Sequence, residues 1–136
     1  MTNLKETVRP FYTKCLTVNK ETNVAELMGK ILAADFQSFG SADIKTREQL
    51  IGQIQFFWKL VPDLKWEIRE MYQEGSNVVV RSVASGTPQG DFMGLPTNGS
   101  KSFNIMTIDI HTVEKEQIIK VYHLEDWATA IKQLKG

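Results

Sequence analysis

Leu64-Lys65-Trp66-Glu67-Ile68-Arg69-Glu70-Met71-Tyr72-Gln73-Glu74-Gly75-Ser76-Asn77-Val78-Val79-Val80-Arg81-Ser82-Val83-Ala84 is the stretch where the chain changes from one periodicity to another. Trp66, Ile68 and Tyr72 alternate with Glu67 and Arg69, Glu74-Gly75-Ser76-Asn77 supplies turn chemistry, and Val78 to Ala84 resumes as a β-branched run. That pattern predicts a hairpin. Upstream of it the spacing is helical. Val8, Phe11, Tyr12, Cys15 and Leu16 recur at i, i+3, i+4, i+7 and i+8, which puts them on one helical stripe. Pro10 lies inside the stripe and lacks a backbone donor, so this helix either begins near Arg9 or bends at the proline. Val24, Leu27, Met28, Ile31 and Leu32 repeat the spacing, with Thr22 or Asn23 as N-cap. Leu50, Ile51, Ile54, Phe57, Trp58 and Val61 form a third stripe, opened by a Thr46/Gln49 capping box and closed by Pro62. Between the second and third stripes, Asp35 to Gly40 alternates like a short strand.

Downstream of the hairpin, Phe103 to Val113 and Ile118 to His123 make a second strand pair joined through Glu114-Lys115-Glu116. Trp127, Ala130, Ile131 and Leu134 close the sequence on a helical stripe. Three helices, a curled antiparallel sheet and a short terminal helix define an α+β fold with helices packed on one face of the sheet. The segment Gly86 to Ser102, rich in Gly and Pro but holding Phe92, Met93 and Leu95, predicts a structured loop near a pocket mouth.

Composition sets the outer limits. With 136 residues, 42% of them hydrophobic, the chain suits a single domain over 1–136. Its 16 Lys and Arg balance 16 Asp and Glu, so no basic field exists to neutralise a phosphate backbone, and nucleic-acid binding is not expected. Cys15 is the one cysteine, which excludes a disulfide framework and a thiolate zinc site and, on the helical stripe, reads as a buried inert thiol. The polar start from Met1 to Glu6 builds no signal core, and no apolar run approaches the roughly 18 residues of a membrane span. A cytoplasmic protein without membrane contact is expected.

Among candidate site residues, Phe11, Tyr12, Phe57, Trp58 and Trp66 either line a hydrophobic ligand cavity or simply form core, with Tyr12 and Trp58 the leading ligand contacts. His123 stands three residues before Asp126, so the two either make a pair at a cavity mouth or His123 is a neutral core histidine. A turn centred near Lys115 pairs residue numbers summing to about 230, which puts His123 opposite Thr107 or Ile108 and leaves His111 roughly 13 Å along the strand. No metal site is expected. Asp109, between Ile108 and Ile110, reads as a surface or ion-paired charge. Asp126 directly precedes the last helical stripe, where an Asp commonly caps by accepting a backbone N–H.

Gly86-Thr87-Pro88-Gln89-Gly90-Asp91-Phe92-Met93-Gly94-Leu95-Pro96-Thr97-Asn98-Gly99 resembles the G-T-H-x-G-x-F-x-G-x-x-P-T-G loop of SnoaL-like polyketide cyclases, with Pro88 where that loop carries His. The ending Ile118 to Asp126, then Trp127 to Leu134, resembles the family's final strand, Asp and terminal helix, and Val61-Pro62-Asp63-Leu64 resembles its recurrent turn. The resemblance implies the cone-shaped α+β barrel of the nuclear transport factor 2-like superfamily, enclosing a largely apolar cavity. It also implies a cofactor-independent enzyme in which Asp126 moves protons during an aldol-type cyclisation or isomerisation of an apolar carbonyl substrate. A neighbouring donor, His123 or Tyr122, would assist enolate formation. Tyr12, Trp58, Gln89, Phe92 and Tyr122 are then the expected substrate contacts. Desolvation would raise an Asp from its ordinary pKa of about 3.9 toward useful basicity. The other reading is a non-catalytic module that binds a hydrophobic small molecule or acts as a dimeric scaffold. Geometry discriminates: the enzyme requires the Asp126 carboxylate to face the cavity, whereas the module has it on backbone N–H groups or solvent. Because the later strands carry apolar residues on both parities, Phe103, Ile105 and Val113 against Met106, Ile108 and Ile110, a homodimer packed through the sheet is expected.

Overall fold

The computed structural model describes residues 3–136, so the start of the polar N-terminal segment, Met1 and Thr2, lies outside it. The first helix, α1 (Leu4–Pro10), is capped by the Asn3 side chain. It does not stop at its proline. The backbone widens into a π-helical turn over Phe11–Cys15, closed by Leu16 N–H donating to the Phe11 carbonyl at 2.9 Å. A proline without an N–H removes one α-helical hydrogen bond, and the wider turn keeps the apolar stripe continuous past that point. Helix α2 (Val24–Ile31) begins at its Asn23 cap. Helix α3 (Arg47–Leu60) carries the full reciprocal Thr46/Gln49 capping box.

Eight strands follow the chain: β1 (Leu32–Phe39), β2 (Ile44–Thr46), β3 (Lys65–Glu74), β4 (Asn77–Gly86), β5 (Asp91–Phe92), β6 (Leu95–Pro96), β7 (Phe103–Glu114) and β8 (Gln117–Glu125). The last helix is α4 (Trp127–Lys135). Six strands form one curled sheet in the order β2-β1-β8-β7-β4-β3, and β5 pairs with β6 in the loop after β4. The sheet is antiparallel except for one parallel pair, β1 on β8. Strand β1 is longer than the alternation from Asp35 predicts, because Leu32 passes directly from the last turn of α2 into the sheet. β2 lies outside the sequence expectation altogether. Its three residues cap the sheet edge by pairing with Gln37, Ser38 and Phe39.

The curl creates an inside and an outside. Along β7 the odd-numbered residues Phe103, Ile105, Thr107, Asp109, His111 and Val113 are buried, while their even-numbered neighbours face out. The helices cover the inner face, and Val8, Phe11, Met28, Leu32, Phe36, Ile54, Val78, Val80, Ala130 and Leu134 fill the space between layers. One register detail positions the site. An irregularity between Thr112 and Val113 moves the β7–β8 pairing on by one, so Asp109 faces His123 and His111 faces Val121. The expected sum near 230 is corrected to 232, and the polar pair across the two strands is Asp109 with His123. Among the described residues, no helix is long and apolar enough to cross a membrane.

Candidate active site

A cavity of about 370 Å³ opens between the sheet and the helices. Its walls are apolar: Phe11 and Leu16 come from the π turn and its end, Leu50, Ile54 and Phe57 from α3, Trp66 from β3 and Trp127 from α4. The Phe57 and Trp127 rings stack 6.2 Å apart, and Trp66 donates its indole N–H to Thr107 Oγ1 at 3.0 Å, which fixes both tryptophans as rigid walls. Polar groups gather along one side. They are Ser38 of β1, Ser41 and Asp43 of the β1–β2 turn, Lys45 of β2, Gln53 of α3, Asp109 of β7, and His123 and Glu125 of β8.

Asp109 is 4% exposed and sits at the centre of a hydrogen-bonded group. Its Oδ2 accepts the Tyr12 hydroxyl at 2.5 Å, while its Oδ1 has no hydrogen-bond partner. Burial pushes its pKa up to about 7. The nearby Glu125 charge adds to that rise, whereas the Tyr12 hydrogen bond, His123 and a backbone contact from Leu124 oppose it. A carboxyl held near neutrality beside an apolar cavity, with one buried oxygen lacking a side-chain partner, has the chemistry of a proton acceptor. His123 Nδ1 lies 2.9 Å from Glu125 Oε2, and Glu125 also accepts the Trp127 indole N–H at 3.2 Å. The hydrogen bond to Glu125 raises the His123 pKa against the effect of burial. With Nδ1 occupied, Nε2 remains available beside Gly40. A Cβ there would sit 3.2 Å from Nε2 and 2.6 Å from the Asp43 carboxylate, so the glycine makes room for the ring.

Of the two residues expected to carry the chemistry, His123 is on the cavity wall. Asp126 is placed otherwise: it is exposed at the N-cap of α4, where its carboxylate accepts Thr129 N–H at 3.2 Å and the Thr129 hydroxyl at 2.6 Å. Those bonds hold its pKa below the usual carboxylate range. It takes the capping role and does not border the cavity, which corrects its expected orientation and is the geometry set out for the non-catalytic module, so an enzymatic reading has to rest on another carboxyl. Tyr12 is wholly buried with its hydroxyl committed to Asp109 and His111, so it reaches the site through Asp109 and not by lining the cavity. Trp58 donates to the Cys15 carbonyl at 2.8 Å and stands outside the cavity wall. Phe92 is buried among Phe57, Phe103 and Trp127, one layer behind the wall. Gln89 is exposed and folds against Gly99 and the Thr87 carbonyl. Tyr122 points outward beside Phe39. Phe11, Phe57 and Trp66, named in sequence as cavity or core, do line it. Asp109, expected as a surface or ion-paired charge, is the deepest carboxyl among the described residues. The Cys15 thiol is buried and its pKa is pushed up to about 12.

Fold and site together define an α+β cone whose helices and sheet hold an apolar cavity with an ionisable Asp/His pair on its strands. Residues 6–134 match the family model for SnoaL-like polyketide cyclases, and the chain belongs to that family. Among curated proteins no relative matches. Solved structures share the fold at low identity. IdmH from Streptomyces antibioticus is 23% identical with a TM-score of 0.83, over 99% of this chain and 100% of that one. TsrD from Streptomyces laurentii is 22% identical with a TM-score of 0.77, over 96% and 91%. A SnoaL-like polyketide cyclase from Agrobacterium tumefaciens is 18% identical with a TM-score of 0.78, over 100% of both chains.

Proposed function

We propose that this chain is a cofactor-independent enzyme that closes a ring in, or isomerises, an apolar carbonyl substrate, with Asp109 as the proton-transfer group. The observation that carries this reading is the Asp109 carboxyl, buried at the cavity with Oδ1 free and its pKa near 7. Oδ1 takes a proton from the carbon beside a carbonyl. The C–H electron pair moves into the carbonyl system to give an enolate, and the enolate oxygen accepts a hydrogen bond from His123 Nε2–H. The enolate carbon then attacks a second carbonyl of the same molecule, and the new alkoxide recovers the proton from Asp109. Glu125 holds His123 in the orientation and charge state that favour the enolate. Phe11, Ile54, Phe57, Trp66 and Trp127 desolvate the substrate and strengthen both interactions.

The outer sheet face supports a homodimer. Ile108 faces Leu124 and Ile110 faces Tyr122 across β7 and β8, and with Met106 these residues are 41% to 62% exposed, a contiguous apolar surface suited to a second copy. The test of the catalytic reading is Asp109→Asn beside the wild type on a panel of activated ketones and cyclisable esters. Turnover by the wild type and a loss of at least about 100-fold in the variant are expected. Undiminished turnover by the variant would remove Asp109 from the reaction.

A further inference from the structure

Behind the free oxygen of Asp109 lies a chain of polar groups with no access to water. The Tyr12 hydroxyl is 2.5 Å from Asp109 Oδ2 and 2.6 Å from His111 Nε2, and Tyr12 and His111 are both 0% exposed. A phenol has one proton to donate. When Asp109 is ionised, that proton goes to Oδ2, so the second contact must be made by a proton on His111 Nε2. Burial lowers the His111 pKa to about 3, so the ring carries a single proton. Placing that proton on Nε2 leaves Nδ1 as a bare lone pair, and Nδ1 indeed has no partner. With Asp109 ionised, the hydrogen bonds therefore run one way, from His111 Nε2–H to Tyr12 and from Tyr12 O–H to Asp109. Each donation polarises the next in a low-dielectric interior.

We propose that Tyr12 and His111 are positioning residues that hold Asp109 by Oδ2 and so leave Oδ1 as the oxygen that receives the substrate proton. The proposal rests on the reading of Asp109 as the base. Neither residue lines the cavity, and their effect passes through the carboxylate. The other charged or titratable groups facing Asp109 are His123 and Glu125 on β8. Val80, opposite it on β4, is apolar, and across the cavity Asp43 and Lys45 pair with each other. Tyr12 is thus the side-chain hydroxyl donor on this carboxylate among the described residues, beside a backbone contact from Leu124 that the Tyr12 variant leaves in place. Without it the charged form loses a buried partner and the carboxyl becomes harder to ionise.

The experiment is a ¹³C carboxyl NMR titration of Asp109 without substrate, together with the ¹⁵N shifts of His111 above pH 8. In Tyr12→Phe the Asp109 midpoint should rise by about one pH unit or more. The acid limb of kcat/KM should move with it. With Tyr12 in place, His111→Gln, which keeps an N–H donor, should retain most of the wild-type midpoint, whereas His111→Leu should raise it. The wild-type His111 should be the Nε2–H tautomer. An unmoved Asp109 midpoint in folded Tyr12→Phe would overturn the proposal, as would an Nδ1–H tautomer in the wild type. The tautomer measurement decides the matter even if Tyr12→Phe does not fold. Because the two NMR readouts omit substrate, a wild type with no turnover would sink the base assignment separately from the relay.

Discussion

Asp109 opposes the stability of the fold it serves. In the unfolded chain it releases its proton near pH 4, but in the folded protein it does so at about 7. Between those values the folded state binds the extra proton, so stability falls as pH rises through this window and the full cost is present above pH 7. Asp109→Asn should match the wild type in stability below about pH 4 and exceed it by about 4 kcal/mol at pH 8, read from denaturant unfolding at several pH values. Equal stability at pH 8 would mean that the carboxyl is not desolvated. His111 slopes the other way, with a folded pKa of about 3, so its neutral burial makes stability fall as the pH drops below about 6.5. That contribution is common to both proteins and cancels in the comparison. Part of this was legible in sequence. Asp109 and His111 share the parity of Phe103, Ile105 and Val113, and two ionisable residues in an apolar column are the signature of a buried site. The signal was masked because Met106, Ile108 and Ile110 make the other parity equally apolar, so alternation alone does not say which side is the interior.

At the scale of elements, the local devices were the most readable. The Thr46/Gln49 box, the Asn23 cap and the Glu74 to Asn77 turn stand where their chemistry predicts, because each depends on neighbours in sequence. Asp126 followed the same local rule: it sits before an apolar helical stripe and caps it. Asp126→Ala should lower the melting temperature by a few degrees and leave catalysis intact, since the lost groups are the two Thr129 hydrogen bonds. The β7–β8 register was less readable, since a one-residue irregularity changes every facing pair. Its turn places Lys115 at φ 52° and Glu116 at φ 63°, a conformation that disfavours side chains. Glu116→Gly should stabilise the protein by about 1 kcal/mol, visible as a higher denaturant midpoint with unchanged slope. A lower midpoint would show that Glu116 makes a compensating contact.

For the whole molecule, apolar residues on both faces of β7 have two different consequences. The inner face builds the cavity wall and core, and the outer face, with Ile108, Ile110, Tyr122 and Leu124, is the surface expected to meet a second copy. Ile108→Lys with Leu124→Lys should convert a dimer into a monomer by sedimentation velocity at micromolar concentration. A wild type that is monomeric there would remove the dimer. The cone itself, its helices on one face of the sheet and its family were readable from order and motifs, since they depend on many residues at once. The placement of the acid was not, because Asp126 and Asp109 lie on neighbouring elements and only the curl of the sheet decides which one meets the cavity. The most direct measurement is solvent deuterium exchange into the acidic carbon of a 1,3-diketone probe, followed by ¹H NMR for the wild type, Asp109→Asn and Asp126→Ala. The wild type should accelerate exchange, Asp126→Ala should match it within about threefold, and Asp109→Asn should lose at least about 100-fold. Exchange that survives in Asp109→Asn but disappears in Asp126→Ala would contradict the assignment of proton transfer to the buried carboxyl.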